Sequence, residues 1–186
     1  MAGRMATGET CRMPNPNSGV TLTSATRRGL SLLDDPIATQ LLQSDIPTRL
    51  AYVGMDGGPR VVPVWSEWNG QELVIVSPST SAKLKSLAAN PKVAITIDTT
   101  SFPWHVLLVR GTARIEMVHG LSPEFERLAC RYMGAEAGRG FCEMYAGVVS
   151  RMPDPSTARI SITPEWVTLN DFETRFPPQI APYLPS

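Results

Sequence analysis

The stretch from position 49 to position 77 reads as strand, turn, strand, turn, strand, and it constrains the fold more than any other feature. Its apolar-rich segments are RLAYVGM, PRVVPVWSEW and QELVIVS, and the turn residues DGG and NG separate them. Glycine in so short a connection permits the positive φ angles that tight hairpins need. The pattern therefore predicts a meander of three antiparallel strands.

Three later segments, KVAITID, WHVLLVRGTARIEMV and ARISITPEWVTL, alternate apolar with polar residues and predict three more strands. Gly111, in the middle of the second of these, is expected to mark a sharp bend or a bulge. Helical signals predict a short helix from Pro36, another in SAKLKSLAAN after the third strand, and two between the fifth and sixth strands. The expected fold class is mostly β: a six-stranded antiparallel barrel, bent and covered by helices at its ends.

The chain length of 186 residues suits one domain with terminal extensions. Residues 1–32 are polar, contain several glycines and prolines and lack a sustained period, which predicts a flexible N-terminal arm. We expect the barrel domain to occupy residues 33–176 and the proline-rich residues 177–186 to form a C-terminal tail.

Charge and residue usage exclude several classes of function. With 17 basic and 17 acidic residues the formal net charge is zero, so no overall field would draw the protein to nucleic acid or to an anionic membrane. No apolar stretch approaches the ~18 residues that span a bilayer. The sequence has only two histidines, and its three cysteines lack metal-ligand spacing, so we expect no metal centre. This cysteine usage favours a reducing cytoplasm.

The segment SPSTSAKLKSLAANP, residues 77–91, places four hydroxyl side chains and two lysines around the start of a predicted helix. The first turn of a helix has backbone N–H groups without internal partners and carries a partial positive charge. Those groups are satisfied either by a capping hydroxyl of the chain itself or by a bound anion. The sequence leaves both interpretations open.

Taken in order, these motifs resemble the flavin- and deazaflavin-binding split barrels of the pyridoxamine 5'-phosphate oxidase-like family. The resemblance covers about residues 36–176, and it depends on the hairpin GPRVVPVWSEWNG, the segment VSPSTSAKLKSLAANP, and the segments GTARIE and RISITPEWV after them. It implies a six-stranded antiparallel split barrel. It also implies an oxidoreductase in which a flavin-type cofactor carries the hydride to or from a small organic substrate.

The resemblance implies a cofactor site and no identifiable catalytic side chain. Hydroxyls, a lysine and an arginine would hold the cofactor phosphate, and the second strand would run beneath the flavin ring with an indole as a wall. The simpler interpretation is that this strand is an apolar edge strand of the sheet, where a proline, which lacks an N–H group, is tolerated. The cofactor-binding residues so implied are Arg60, Val61, Val62, Pro63, Val64, Trp65, Ser77, Ser81, Lys83 and Arg175.

The resemblance further implies a homodimer with the cofactor at the interface, to which Trp104, His105 and the segment DFETRF are candidate contributors. Three departures from the vitamin-oxidising members argue against genuine pyridoxamine phosphate oxidation. Ala82 replaces a basic residue, Trp65 replaces a lysine, and an Arg-x-His motif near the C-terminus is missing.

FMN is the cofactor expected first, because it ends in one phosphate and the candidate cations are few. The alternative, the deazaflavin coenzyme F-420, extends through a lactyl-glutamate tail that needs further cations. Two other functions stay open. One is a non-catalytic flavin- or haem-binding protein, with His105 as the only candidate axial ligand. The other is a small barrel that binds single-stranded nucleic acid, which the zero net charge disfavours.

Overall fold

The computed structural model describes residues 27–172. These residues form eight β-strands, one 3-10 helix and four α-helices. The strands are β1 (Arg27–Arg28), β2 (Thr48–Val53), β3 (Pro59–Val64), β4 (Glu67–Trp68), β5 (Leu73–Pro78), β6 (Lys92–Asp98), β7 (His105–His119) and β8 (Ser156–Asp171). The helices are the 3-10 helix Leu30–Asp34, α1 (Pro36–Gln43), α2 (Ala82–Ala89), α3 (Pro123–Met133) and α4 (Ala135–Val149).

All strands pair antiparallel in one sheet, in the order β3-β2-β6-β7-β8-β5-β4, with β1 added to β8. The sheet does not close, because β3 and β4 at its two ends do not pair with each other. The long strands β7 and β8 run side by side from the pair His105 and Asp171 to the pair His119 and Ser156. The predicted fold class, a mostly β split barrel with helices, is confirmed, and its six long strands are the six that the sequence indicates.

The interior of the barrel holds one apolar cluster to which alternate residues of the strands contribute. In β6, Val93, Ile95 and Ile97 are buried, and the residues between them are only partly buried. This is the period of two that a strand requires when one face is packed and the other is not. Helix α1 adds Leu41 and Leu42 to the same cluster.

The predicted three-strand meander is confirmed at both of its turns, but its middle strand is broken. The segment predicted as one strand forms β3, which pairs with β2 across the DGG turn, and β4, which pairs with β5 across the NG turn. Strand β5 also pairs with β8 and never with β3. Leu73, Val74 and Ile75 are consecutive and all buried, so β5 is covered on both faces. Between β3 and β4 the chain crosses from one end of the open sheet to the other.

Gly111 lies at a break in the register of β7 with β8, between Arg110 and Gly111, which confirms the predicted irregularity. A Cβ atom at this position would lie 2.3 Å from the backbone oxygen of Thr163. Only glycine permits so close an approach of two strands. This one glycine therefore permits the irregularity in the pairing of β7 with β8.

The folded part of the chain begins before the predicted boundary at residue 33. Arg27 and Arg28 pair with β8, and Leu32 and Leu33 of the 3-10 helix are buried, so the last part of the predicted arm packs on the barrel. Residues 1–26 and 173–186, with the rest of that arm and the predicted tail, lie outside the described residues. In the described part of the chain, no helix combines the length and the apolar composition that crossing a membrane would take.

Candidate functional site

No side chain caps the start of α2. Ser81 occupies the N-cap position with an extended backbone, yet its hydroxyl accepts no hydrogen bond from the first turn of the helix. The Ser81 Oγ instead accepts a hydrogen bond from the Nζ of Lys83, at 3.0 Å. The self-capping interpretation of the hydroxyl-rich segment is therefore wrong for Ser81. The Leu84 N–H donates to the Ser81 carbonyl at 3.0 Å, and the N–H groups of Ala82 and Lys83 remain open to an external anion.

Lys83 forms no ion pair with any residue from 27 to 172. Its one hydrogen bond in that range goes to Ser81, and the side chain is half-buried. Burial lowers the pKa of Lys83 below its ordinary value, because removal from water disfavours the charged ammonium. A partly buried cation without a counter-ion is costly, and a bound anion would remove that cost.

Lys83 lines a cleft of about 370 Å³, named here the Lys83 cleft, whose other walls include Pro47, Pro63, Val64, Trp65 and Ser77. Ser77 is only 3% exposed, and its hydroxyl makes no hydrogen bond with another described residue. A ligand oxygen in the cleft would satisfy the Ser77 hydroxyl and the Lys83 ammonium together.

The free edge of the sheet forms one wall of the Lys83 cleft. Strand β3 pairs with β2 alone, so its other edge has backbone groups without sheet partners. Pro63, which lacks an N–H, removes one donor from this strand. Val62 and Val64 pack against the core, whereas Val61 is 65% exposed. The edge-strand interpretation is therefore correct, and an open edge beside Pro63 and Val64 is also what the predicted ring-binding role requires.

Trp65 forms the aromatic wall of the Lys83 cleft, and the α3–α4 pair of helices holds it in place. Its ring stacks on Tyr132, with centroids 5.3 Å apart and an interplanar angle of 9°, and meets Phe141 edge-on at 6.1 Å. The Tyr132 hydroxyl accepts a hydrogen bond from the Ser66 N–H at 3.3 Å. The indole is thus fixed by packing on the side away from the cleft.

The chain on either side of Ser66 is tied to the rest of the molecule by polar contacts. The buried hydroxyls of Thr48 and Ser66 lie 2.5 Å apart. The Arg131 guanidinium donates to the Ser66 carbonyl at 3.2 Å, and Arg127 forms an ion pair with Glu67 at 2.9 Å. Sequence reasoning missed Tyr132 and Arg131 as parts of the site. Nothing in the sequence indicates that either residue contacts the segment around Trp65.

Arg60 lies in a second, larger cleft of about 670 Å³, named here the Arg60 cleft, which Tyr52, Met55, Ser81, Lys85 and Ser86 also line. The Arg60 guanidinium forms an ion pair with Asp56 across the DGG turn, at 2.6 Å. This pair lowers the pKa of the Asp56 carboxyl. Arg60 and Lys83 therefore do not meet in one cleft, although Ser81 connects the two clefts through its bond to Lys83.

The predicted site residues thus fall into four groups. Pro63, Val64, Trp65, Ser77 and Lys83 line the Lys83 cleft. Arg60 and Ser81 line the Arg60 cleft. Val61 and Val62 line neither of the two clefts. Arg175 lies outside the described residues.

The predicted interface residues Trp104 and His105 lie in an aromatic cluster. The Trp104 ring contacts Phe102 and Phe172 edge-on at 5.6 and 6.0 Å. Phe102 and Trp104 remain 65% and 49% exposed. The Nε2 atom of His105 lies 3.3 Å from a carboxylate oxygen of the buried Asp171. This proximity to a carboxylate gives no support to an axial haem ligand at His105.

A family model described as pyridoxamine 5'-phosphate oxidase matches residues 35–171. The chain belongs to the pyridoxamine 5'-phosphate oxidase family. An F-420 reductase of solved structure is 26% identical with a TM-score of 0.53, and the match covers 69% of this chain and 93% of that one. No curated protein has significant sequence similarity to this family member.

Two more distant structures share the fold of this pyridoxamine 5'-phosphate oxidase family member. A conserved hypothetical protein of Mycobacterium tuberculosis is 18% identical with a TM-score of 0.56, covering 80% of this chain and 87% of that one. A putative pyridoxamine 5'-phosphate oxidase of Listeria innocua is 21% identical with a TM-score of 0.50, covering 74% of this chain and 97% of that one. At these identities the likeness concerns the fold alone.

Proposed function

We propose that this member of the pyridoxamine 5'-phosphate oxidase family binds a flavin-type cofactor through its phosphate and acts as an oxidoreductase on a small organic substrate. The observation that carries the proposal is the Lys83 cleft. There a half-buried ammonium without a counter-ion among the described residues and the hydroxyl of Ser77 line the same cleft. Both groups fit the oxygens of a phosphate dianion.

FMN is the smallest cofactor that satisfies this cleft. Lys83 and Ser77 bind its phosphate, Ser81 orients the Lys83 ammonium, and the first turn of α2 adds backbone N–H donors. The edge of β3 at Pro63 and Val64 lies beneath the ring, and Trp65 excludes water from one side. When bound, the flavin-type ring supplies the hydride chemistry, so no side chain has to act as acid or base.

The wall at Trp65 disfavours a phosphorylated vitamin as substrate. The indole is packed between the cleft and Tyr132 and presents an apolar surface there. An anionic substrate next to this wall would lose water without gaining the cation that a lysine in place of Trp65 would supply. We therefore assign the protein an apolar or weakly polar substrate and not pyridoxamine phosphate.

Coenzyme F-420 is the second candidate cofactor, and the 26% identical F-420 reductase favours it. It would place its phosphate on the same Lys83 and Ser77 and its ring over the same strand edge. The two cofactors differ only in the ring and in the groups attached beyond the phosphate, so the Lys83 cleft does not discriminate between them.

We also propose that the protein is a cytoplasmic homodimer with the cofactor at the interface. Three large apolar residues, Val61, Phe102 and Trp104, are each between 49% and 65% exposed to solvent. Exposed apolar residues of this kind are often covered by a second subunit. Light scattering of the wild-type protein should give a molar mass of about twice that of one chain. In the Phe102→Glu variant the measured molar mass should fall toward that of one chain. A wild-type protein that stays a monomer at high concentration would exclude the dimer.

Titration with FMN and with riboflavin, followed by fluorescence quenching, tests the assignment of the phosphate. In Lys83→Ala the Kd for FMN should rise by roughly 10- to 150-fold, since a charge-assisted hydrogen bond contributes about 1.5–3 kcal/mol. The Kd for riboflavin, which has no phosphate, should stay within about twofold of the wild-type value. Lys92→Ala is the matched control, because Lys92 pairs with Glu165 and lines neither cleft. An unchanged Kd for FMN in Lys83→Ala would remove the phosphate from this site.

A further inference from the structure

Helix α4 has an apolar stripe that its neighbour α3 covers only in part. The stripe consists of Phe141, Met144, Tyr145 and Val148, whose spacing of three and four residues places them on one face of the helix, and we name it the α4 stripe. Within residues 27–172, α4 packs chiefly against α3. Met144 and Val148 are 54% and 45% exposed. A contiguous apolar surface of this kind marks a docking site.

The aromatic members of the α4 stripe form a rigid stacking surface. The Phe141 ring lies 5.7 Å from that of Tyr145 and 5.8 Å from that of Phe125, at interplanar angles of 15° and 26°. Phe141 also meets Trp65 edge-on, so the surface continues as far as that indole. Aromatic surfaces on a rigid support are what proline-rich segments in the polyproline II conformation dock on.

The sequence after Phe172 contains a segment of the matching kind. Residues 176–186 read FPPQIAPYLPS, with four prolines, no charged side chain and a P-x-x-P motif in PYLP. Chain segments that stay in water are typically poor in apolar residues and rich in charge, and this segment is neither. Because proline restricts the backbone in advance, docking of such a segment costs less conformational entropy.

The direction of the strands brings this segment toward the α4 stripe. One row of paired residues crosses β3, β2, β6, β7 and β8, namely Pro63, Arg49, Thr96, Leu108 and Thr168. Strands β3 and β8 run in the same direction, so Trp65 and Phe172 follow this row toward the same end of the sheet. Four strand spacings separate β3 from β8, or roughly 19 Å. The 14 residues from 173 to 186 span about 43 Å in polyproline II, which is enough to reach the stripe beside Trp65.

A second copy of the chain suits the α4 stripe less well than this segment does. A stable dimer interface buries about 800 Å² on each partner, which is more than one row of four partly buried side chains offers. A segment that is already joined to the domain needs less contact area, because a short linker gives it an effective concentration in about the mM range.

We propose that residues 176–186 of this chain dock on the α4 stripe, with the PYLP segment against the rings of Phe141 and Tyr145 and beside Met144. The docked segment lies next to Trp65, at the margin of the Lys83 cleft. The inference does not depend on the proposed function, because neither the α4 stripe nor the segment includes a residue that holds the cofactor phosphate.

The first test uses NMR of the full chain without cofactor, labelled with 13C at the methionine methyl groups. The Tyr183 ring should shift the methyl signal of Met144, so Tyr183→Ala should move this signal. The signal of Met55, an exposed methionine at the DGG turn, should stay in place in the same spectrum. Met144→Leu and Met55→Leu assign the two signals by removing them.

The second test measures cleavage by chymotrypsin after Tyr183, which requires the segment to leave the surface. Met144→Glu puts a charge on the α4 stripe and should speed this cleavage about tenfold, whereas the matched control Met55→Glu should stay within about twofold of the wild type. An unmoved Met144 signal in Tyr183→Ala, with equal cleavage rates in all three proteins, would overturn the inference. A Met144 signal that responds to Phe102→Glu and not to Tyr183→Ala would assign the stripe to a second copy and overturn it as well.

Discussion

The Nζ atom of Lys83 lies 3.0 Å from the Oγ atom of Ser81, and this contact replaces the helix cap that the sequence suggests for Ser81. The hydroxyl orients the ammonium without neutralising it. Because no carboxylate of the described residues pairs with Lys83, its charge stays available to a ligand.

The pH dependence of cofactor binding should follow Lys83. Burial lowers the pKa of this ammonium, so the group loses its proton at a lower pH than an exposed lysine. The cation binds phosphate and the neutral amine does not. Affinity for FMN should therefore be full below the lowered pKa and fall as the pH rises through it, starting at a lower pH than for an exposed lysine. Isothermal titration at several pH values measures this, with Lys83→Arg as a control whose affinity should stay flat over the same range. A fall of equal steepness in Lys83→Arg would contradict the assignment.

A matched pair of glycines tests the bend in β7. Gly111→Ala places a Cβ atom 2.3 Å from the Thr163 oxygen, so the strands must separate, and stability should fall by about 1–3 kcal/mol. Gly140→Ala, in the interior of α4, meets nothing within 4 Å and should raise stability by about 0.5–1 kcal/mol. Denaturant unfolding measures both. Equal effects of the two substitutions would mean that the close approach at Gly111 does not constrain the sheet.

The buried pair of Thr48 and Ser66 should show energetic coupling. Thr48→Val keeps the side-chain shape but leaves the Ser66 hydroxyl without its partner, at a cost of about 1–3 kcal/mol. Ser66→Ala has the converse effect. The double variant, which removes both hydroxyls, should lose less stability than the sum of the two single changes. A double-mutant cycle of unfolding free energies measures the difference. Strict additivity would show that the contact contributes nothing.

The stack of Trp65 on Tyr132 should matter more than the hydrogen bonds of the tyrosine hydroxyl. Those bonds are long, at 3.3 Å from Ser66 and 3.5 Å to Ile46, so Tyr132→Phe should cost less than ~1 kcal/mol of stability. Tyr132→Ala removes the ring against which the indole packs, and it should cost at least ~2 kcal/mol. Chemical unfolding followed by far-UV circular dichroism distinguishes the two. The reverse order of effects would mean that polar contacts, and not stacking, hold Trp65.

Much of the fold could be predicted because its signals are local. The alternation of Val93, Ile95 and Ile97 identifies a strand with one packed face, and Gly111 identifies the irregularity in β7. The pairing of β5 with β8 could not be predicted in the same way. Alternation and turn residues indicate where a strand lies, but they do not indicate which edge of which strand it joins.

The candidate site was predictable as a set of residues and not as an arrangement. Ser77 and Lys83 do line one cleft with Trp65, as the resemblance implies. Arg60, in contrast, lies in another cleft and forms an ion pair with Asp56. Tyr132 stacks on Trp65 although the two residues are more than sixty positions apart in the sequence. Contacts at such separations depend on how the helices dock on the sheet.

The six long strands, the four α-helices, the irregularity at Gly111 and the hydroxyl-rich start of α2 could be predicted, because each depends on side-chain period or backbone freedom within a few residues. The folded molecule was needed to show that β5 joins β8, that Ser81 accepts from Lys83 instead of capping its helix, and that the cations divide between two clefts. These features depend on which strand edges meet and on the direction in which each side chain leaves its helix, and packing across the whole molecule sets both.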